Sequence, residues 1–154
     1  MAAGSACMRS ATTSITAFSS DTATPGGDRT ASEGRAERVG VCRDFAHLAV
    51  TLCRCVNIPA RYCTGYLGDI GVPRDPAPMD FSAWFEVFLD GRWFTFDARH
   101  NRPRIGRIVM ARGRDAADVA ISTAFGPAPL ARFTVMTDEV TDEDCEQRGS
   151  REAA

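Results

Sequence analysis

Asp90-Gly91 stands between two β-prone runs, "AWFEVFL" at 83–89 and "RWFTFD" at 92–97. An Asp-Gly pair tolerates the left-handed backbone that a two-residue hairpin turn demands, so the two runs are predicted to pair antiparallel. That turn also sets the register. Leu89 faces Arg92, which places Trp84 opposite Asp97 and Ser82 opposite Arg99. Opposed residues share a face, as do positions two apart on one strand. Ser82, Trp84 and Asp97 therefore project to one side, with Ser82 and Asp97 diagonal neighbours roughly 7 to 8 Å apart at the backbone.

A second pattern lies upstream. Phe45, Leu48, Ala49, Leu52, Cys53 and Val56 recur with helical spacing and form one apolar stripe. Asp44 suits the positive end of that helix, and Asn57 followed by Ile58-Pro59 suits its stop, so a helix is expected over about 43–56 with Cys42 at its N-terminal end. A thiol so placed ionises more easily than usual and becomes a nucleophile when an imidazole takes its proton and a carboxylate orients that imidazole. A structural thiol is the alternative reading of Cys42, whereas Asp44 is read as a helix-end charge ahead of an acid catalyst. Arg43 is expected to be solvated or paired with an acid.

The chain has 2 histidines, His47 and His100. His47 lies five residues beyond Cys42, about 140° round the helix and about 7.5 Å along it, and so points away. His100 follows Asp97 by three residues, which puts it on the opposite face if the strand continues.

Around these elements, "ASEGRAER" (31–38) could form a short helix and "ARYCTGYLGD" (60–69) alternates like a strand. "GDIGVPRDPAPMD" follows as a Gly/Pro-rich loop able to border a substrate site. "RIGRIVMARG" (104–113) and "LARFTVMTDEV" (130–140) are candidate further strands. Residues 1–30, rich in Ser, Thr, Gly and Ala, are expected to be a mostly disordered lead, and 138–154, with seven acids and two Arg, an acidic disordered tail. The core domain is then 31–137.

Composition excludes several classes. The net charge is −2, with 18 basic residues, all Arg, scattered among 20 acids, so no basic stripe marks a nucleic-acid surface. No apolar run approaches the roughly 18 residues of a membrane span, and no signal-peptide core is present. A cytoplasmic address is the default, although the acid-free first 20 residues, with Arg9, weakly resemble a transit peptide. The 6 cysteines include no C-x-x-C pair; Cys53 and Cys55 form C-x-C on the helix, where the thiols point apart. No metal, cofactor or disulfide framework is expected.

"GVCRDFAHL", "NIPARYCTGYL", "DFSAWFEVFLDGRWFTFDARHN" and "GRIVMARGRDAADVA", in this order over about 35–136, resemble the bacterial transglutaminase-like cysteine protease family. The resemblance implies an α+β, papain-like core whose cysteine-bearing helix packs on an antiparallel sheet. It also implies a triad of Cys42, position 82 and Asp97, and a thioester at Cys42 passed to water or an amine. The family's His position is occupied by Ser82, which is neither a base near neutral pH nor a positive partner for a thiolate. Members generally carry more chain ahead of the "GVCRD" motif, whereas 41 residues precede Cys42 here. Trp84 and Tyr66 are the candidate substrate-binding residues.

Catalysis is accordingly expected to be impaired. The expected partner is a peptide or protein substrate, with no nucleic acid and no membrane. A non-catalytic peptide-binding module and a decayed fragment stand as alternatives.

Overall fold

In the computed structural model, which describes residues 19–20 and 30–140, a four-stranded antiparallel sheet of order β5-β4-β3-β6 carries the cysteine-bearing helix on one face. In chain order the elements are β1 (Ser19–Ser20), α1 (Ala31–Glu37), β2 (Val39–Gly40), α2 (Cys42–Cys55), β3 (Ala60–Leu67), β4 (Ser82–Leu89), β5 (Arg92–Phe96), β6 (Arg107–Gly113) and a 3₁₀ turn (Ala116–Val119).

α1 starts where Thr30 and Glu33 cap each other. The Thr30 hydroxyl accepts from the Glu33 N–H at 3.3 Å, and the Glu33 carboxylate accepts from the Thr30 N–H at 2.8 Å. Arg38 (φ 57) ends it in the left-handed region. Ser19–Ser20, within the expected lead, pair in parallel with Val39–Gly40. The rest of 1–29, and 141–154, lie outside the described residues.

α2 follows within two residues. Asp44 turns back to accept from the Val41 N–H at 3.0 Å, satisfying a backbone donor that helix geometry leaves open. Gly40 makes room for this, since a Cβ there would meet the Asp44 Cβ at 2.8 Å. Asn57 (φ 58) ends the helix as its side-chain chemistry predicted, with the Ile58 N–H returning to the Cys53 carbonyl at 2.9 Å.

Phe45, Leu48, Ala49 and Cys53 of the expected stripe are buried, and Ala46 and Val50 join them. Val56 departs from it: it caps the helix and lies exposed. The core forms between this face and Ala60, Phe85 and Val87 of the sheet, with Phe85 and Phe96 stacked at 5.7 Å. A second apolar group joins Ala46, Tyr62, Ala83 and Val119, against which Cys42 packs.

The hairpin register is the expected one, from Leu89↔Arg92 to Phe85↔Phe96, with Asp90 (φ 48) and Gly91 (φ 82) both left-handed. Since Ala83, Phe85 and Val87 face α2, alternation sends Ser82, Trp84 and Glu86 to the other face. There Glu86 is buried between Arg61 (Nε to Oε2, 2.6 Å) and Arg112 (Nε to Oε2, 3.1 Å).

Arg112 and Arg107 lie five residues apart on β6 and would point to opposite faces of a regular strand. A register shift between Thr64 and Gly65 removes that conflict, and Arg107 reaches Asp97 while Arg112 reaches Glu86. Gly65 permits the close approach, because a Cβ on it would lie 2.0 Å from the Ile108 carbonyl oxygen.

The expected strand at 130–140 does not form. Its contact with the body is instead by side chains and one unusual bond, the Thr137 N–H to Met79 Sδ at 3.2 Å, with Val135 buried. No helix among the described residues is long and apolar enough to cross a membrane.

Candidate active site

Cys42 is the first residue of α2, half-buried, and its thiol donates to the Phe81 carbonyl at 3.8 Å. The Ala83 N–H also points at the sulfur. The nucleophile candidate therefore lies against the backbone on either side of Ser82. Thr64 holds that backbone still, donating from its hydroxyl to the Ser82 carbonyl at 3.2 Å. Ser82 is 7% exposed.

The helix terminus was expected to lower the Cys42 pKa, and the tertiary environment reverses this. Burial pushes the thiol above its ordinary value, outweighing the N–H groups of Ala83 and Arg43 and the positive charge of Arg99, while Asp80 adds a further opposing charge. A carbonyl accepting from the S–H favours the neutral form as well. Cys42 as folded is held as a neutral thiol. Tyr62, on β3, is its neighbour, and burial and the Cys42 charge both push that phenol up.

Asp97 sits one residue beyond the end of β5, its side chain 4% exposed. One carboxylate oxygen accepts from the N–H groups of Arg99 (3.1 Å) and His100 (3.0 Å). The other accepts from Arg107 at 2.7 Å and meets His100 Nδ1 at 2.9 Å. Burial alone would raise its pKa, but His100, through its side chain, backbone and charge, and Arg107 together bring it down to about 2.

His100 is thus not on the opposite face. β5 stops at Phe96, the Asn101 N–H closes onto the Asp97 carbonyl at 3.0 Å, and the turn folds His100 back onto the carboxylate. Asn101 (φ 47) and the Arg102-Pro103 that follow are the turn signals in "ARHNRP" that marked the strand's end.

Trp84, a candidate for substrate contact, is 1% exposed and lies under the Arg107 guanidinium at 5.7 Å. It offers no open surface as folded; its Nε1 has no hydrogen-bond partner among the described residues. Tyr66 is half-buried and packs edge-on against Phe81 at 5.2 Å, on the residue whose carbonyl receives the Cys42 thiol. The Gly/Pro-rich loop beside it is pinned by Arg104, which donates to the Gly68 carbonyl (3.0 Å) and Asp69 (2.8 Å). Asp44 is the helix-end charge expected, paired with Arg43 at 3.2 Å. Among the described residues no group of three His, Cys, Asp or Glu side chains could hold a metal ion.

A cysteine heading a helix on an antiparallel sheet, with a buried aspartate just past a strand of that sheet, defines an α+β core of the papain-like type. Residues 6–98 match the transglutaminase-like superfamily, and the chain belongs to that family. It is similar, with a TM-score of 0.71 and 35% identity, to the crystal structure of "a Putative Cysteine Protease from Cytophaga hutchinsonii", over 87% of this chain and 46% of that one. An uncharacterized protein of Mycobacterium leprae is 33% identical over 88 residues, 53% of this chain and 30% of the relative. One of Mycobacterium tuberculosis (strain H37Rv) is 36% identical over 91 residues, 53% of this chain and 29% of the relative. The chain spans about a third of the length of these curated relatives.

Proposed function

We propose that this chain is a transglutaminase-like cysteine protease or acyltransferase core of strongly reduced activity, acting on a peptide or protein substrate in the cytoplasm. In the reaction, the Cys42 sulfur attacks a carbonyl carbon, the leaving group departs with a proton, and the thioester is resolved by water or an amine. Two proton transfers are needed, one from the thiol and one to the leaving group. Ser82 can perform neither near neutral pH. What carries the reading is the contact of the Cys42 thiol with the backbone flanking Ser82, the position where the family places its imidazole.

The test compares hydrolysis of an activated ester by the parent chain, Ser82→His, and Ser82→His with Cys42→Ala. An increase of at least about tenfold that disappears with Cys42 is expected, since removing a general base commonly costs about 10² to 10⁴ in rate. A folded Ser82→His protein with the parent's rate counts against it. The resting, burial-raised thiol also favours a second reading, a module that holds an extended peptide without cleaving it. Peptide binding without turnover in all three proteins would select that one.

A further inference from the structure

Even-numbered residues of β3 and odd-numbered residues of β4 point to the α2 side of the sheet, because Tyr62 pairs with Phe85 and Thr64 with Ala83, and both Phe85 and Ala83 pack under the helix. The same register, continued one step beyond Gly65↔Ser82, sets Tyr66 opposite Phe81, and their rings meet edge-on at 5.2 Å. On its other side Tyr66 pairs with Ile108 of β6. Phe81, Tyr66 and Ile108 therefore form one row across three strands on the helix side. Neighbouring strands lie about 4.8 Å apart, so the row is about 10 Å across.

The row begins where the cover of α2 stops. Cys42, the first residue of the helix, packs against the group that holds Ala83, one row further in, and its thiol donates to the Phe81 carbonyl at 3.8 Å. Past the other side of the row, Thr137 closes over Gly68, where an added Cβ would lie 3.1 Å from the Thr137 carbonyl oxygen. Between these limits Phe81 and Tyr66 are half-buried and Ile108 is 52% exposed. None of the three carries a charge, and the exposed Asp80 stands next to Phe81.

We propose that Phe81, Tyr66 and Ile108 are the floor of an apolar subsite that selects the acyl-donor peptide, taking a large aliphatic or aromatic side chain from one of the two residues ahead of the scissile carbonyl. The proposal rests on the reading of Cys42 as a nucleophile given above and names the substrate class for it. Residues two apart on a strand are separated by about 7 Å, and an extended peptide advances about 3.3 Å per residue. A carbonyl held at Cys42 thus brings the side chains of those two residues over the row beyond Thr64. A leucine there removes its own surface and that of Ile108 from water, which favours it. An aspartate there loses water without gaining a partner and meets the like charge of Asp80.

The experiment uses the full chain and three N-acetylated chloromethyl ketones, Ala-Leu-Leu, Ala-Ser-Ser and Ala-Asp-Asp, from which the Cys42 sulfur displaces chloride. Peptide-resolved mass spectrometry reads the rate at Cys42, and each rate is divided by that with iodoacetamide, so the reactivity of the thiol itself cancels. The Leu-Leu reagent is expected to react at least about tenfold faster than the Asp-Asp one, with Ser-Ser between them, a range that contacts in an apolar pocket command. Ile108→Arg should cut that ratio at least about fivefold. Ile108→Thr, which keeps the β-branched shape a strand favours, should cut it about threefold and serves should the Arg variant fold poorly. Ile121→Ser, at an apolar residue 62% exposed beyond the 3₁₀ turn, should leave it unchanged.

A Leu-Leu reagent no faster than Asp-Asp at an alkylated Cys42 overturns the proposal, as does a preference that survives both Ile108 variants. If Cys42 reacts with none of the reagents faster than the exposed Cys55 does, the nucleophile reading falls, and saturation-transfer NMR with the Ala-Leu-Leu amide decides the subsite separately. Saturation of the leucine methyl groups that is lost in Ile108→Arg then supports the apolar subsite on a chain that binds without reacting. No saturation in the parent overturns both.

Discussion

Asp97 concentrates more interactions than any other residue of the site, and its energetics can be separated from its chemistry. Its pKa is depressed from 3.8 to about 2, so the folded state binds its proton less readily than the unfolded chain. The resulting stabilisation is fully present above pH 4 or so and is lost as pH falls through about 2, and it amounts to about 2 kcal/mol. Urea denaturation at pH 7, 4, 3 and 2 should show this loss, with Asp97→Asn giving a flatter profile across that window. At neutral pH the same substitution leaves the Arg107 guanidinium, 14% exposed, without its anion, and should cost about 3 kcal/mol. The pKa of Cys42 illustrates the opposite case, a helix-end advantage overridden by burial. Helix position was legible in the apolar spacing, but the number of atoms around the sulfur was not.

Among the elements, the β3–β6 pairing decides how the site is built. The bulge at Gly65 flips the alternation of β6, so that two arginines an odd number of residues apart both serve buried carboxylates on one face. Gly65→Ala would drive a methyl group into the Ile108 carbonyl, and neither backbone can yield without parting the strands. A loss of about 3 kcal/mol is expected in urea denaturation, with weakened Arg107–Asp97 pairing. Gly91→Ala provides the contrast. Nothing lies within 4 Å of its added Cβ, and only the positive φ of 82 opposes it, so about 1 kcal/mol is expected. A loss at Gly65 no larger than at Gly91 would mean that the bulge tolerates a side chain. The hairpin was readable because Asp-Gly fixes its own turn, whereas the bulge depends on a partner strand more than forty residues away.

Across the whole molecule, the sheet carries α2 on one side, and the described chain after Val119 runs without helix or strand. Phe125 is 98% exposed and Leu130 77%, while Phe45 and Phe85 are in the core. Brief chymotrypsin digestion should therefore cut after Phe125 and Leu130 well before Phe45 or Phe85, as read by intact-mass spectrometry. Early cleavage at Phe85 instead would mean that the β4 core opens as readily as this stretch. The same stretch explains the one strand expected in error. "LARFTVMTDEV" has β-prone residues, but propensity forms no strand where no neighbouring strand pairs with it.

Sequence alone determined what depends on neighbours along the chain: the helix behind Cys42, its stop at Asn57, the Asp90-Gly91 turn, and with that turn the hairpin register from Leu89↔Arg92 to Phe85↔Phe96. Periodicity and turn chemistry are local, so they can be read locally. Only the tertiary structure decided what depends on distant segments meeting: the bulge that delivers Arg107, the burial that holds the Cys42 thiol neutral, and the turn that folds His100 onto Asp97. These follow from packing and desolvation, which belong to the assembled core and to no single stretch of it.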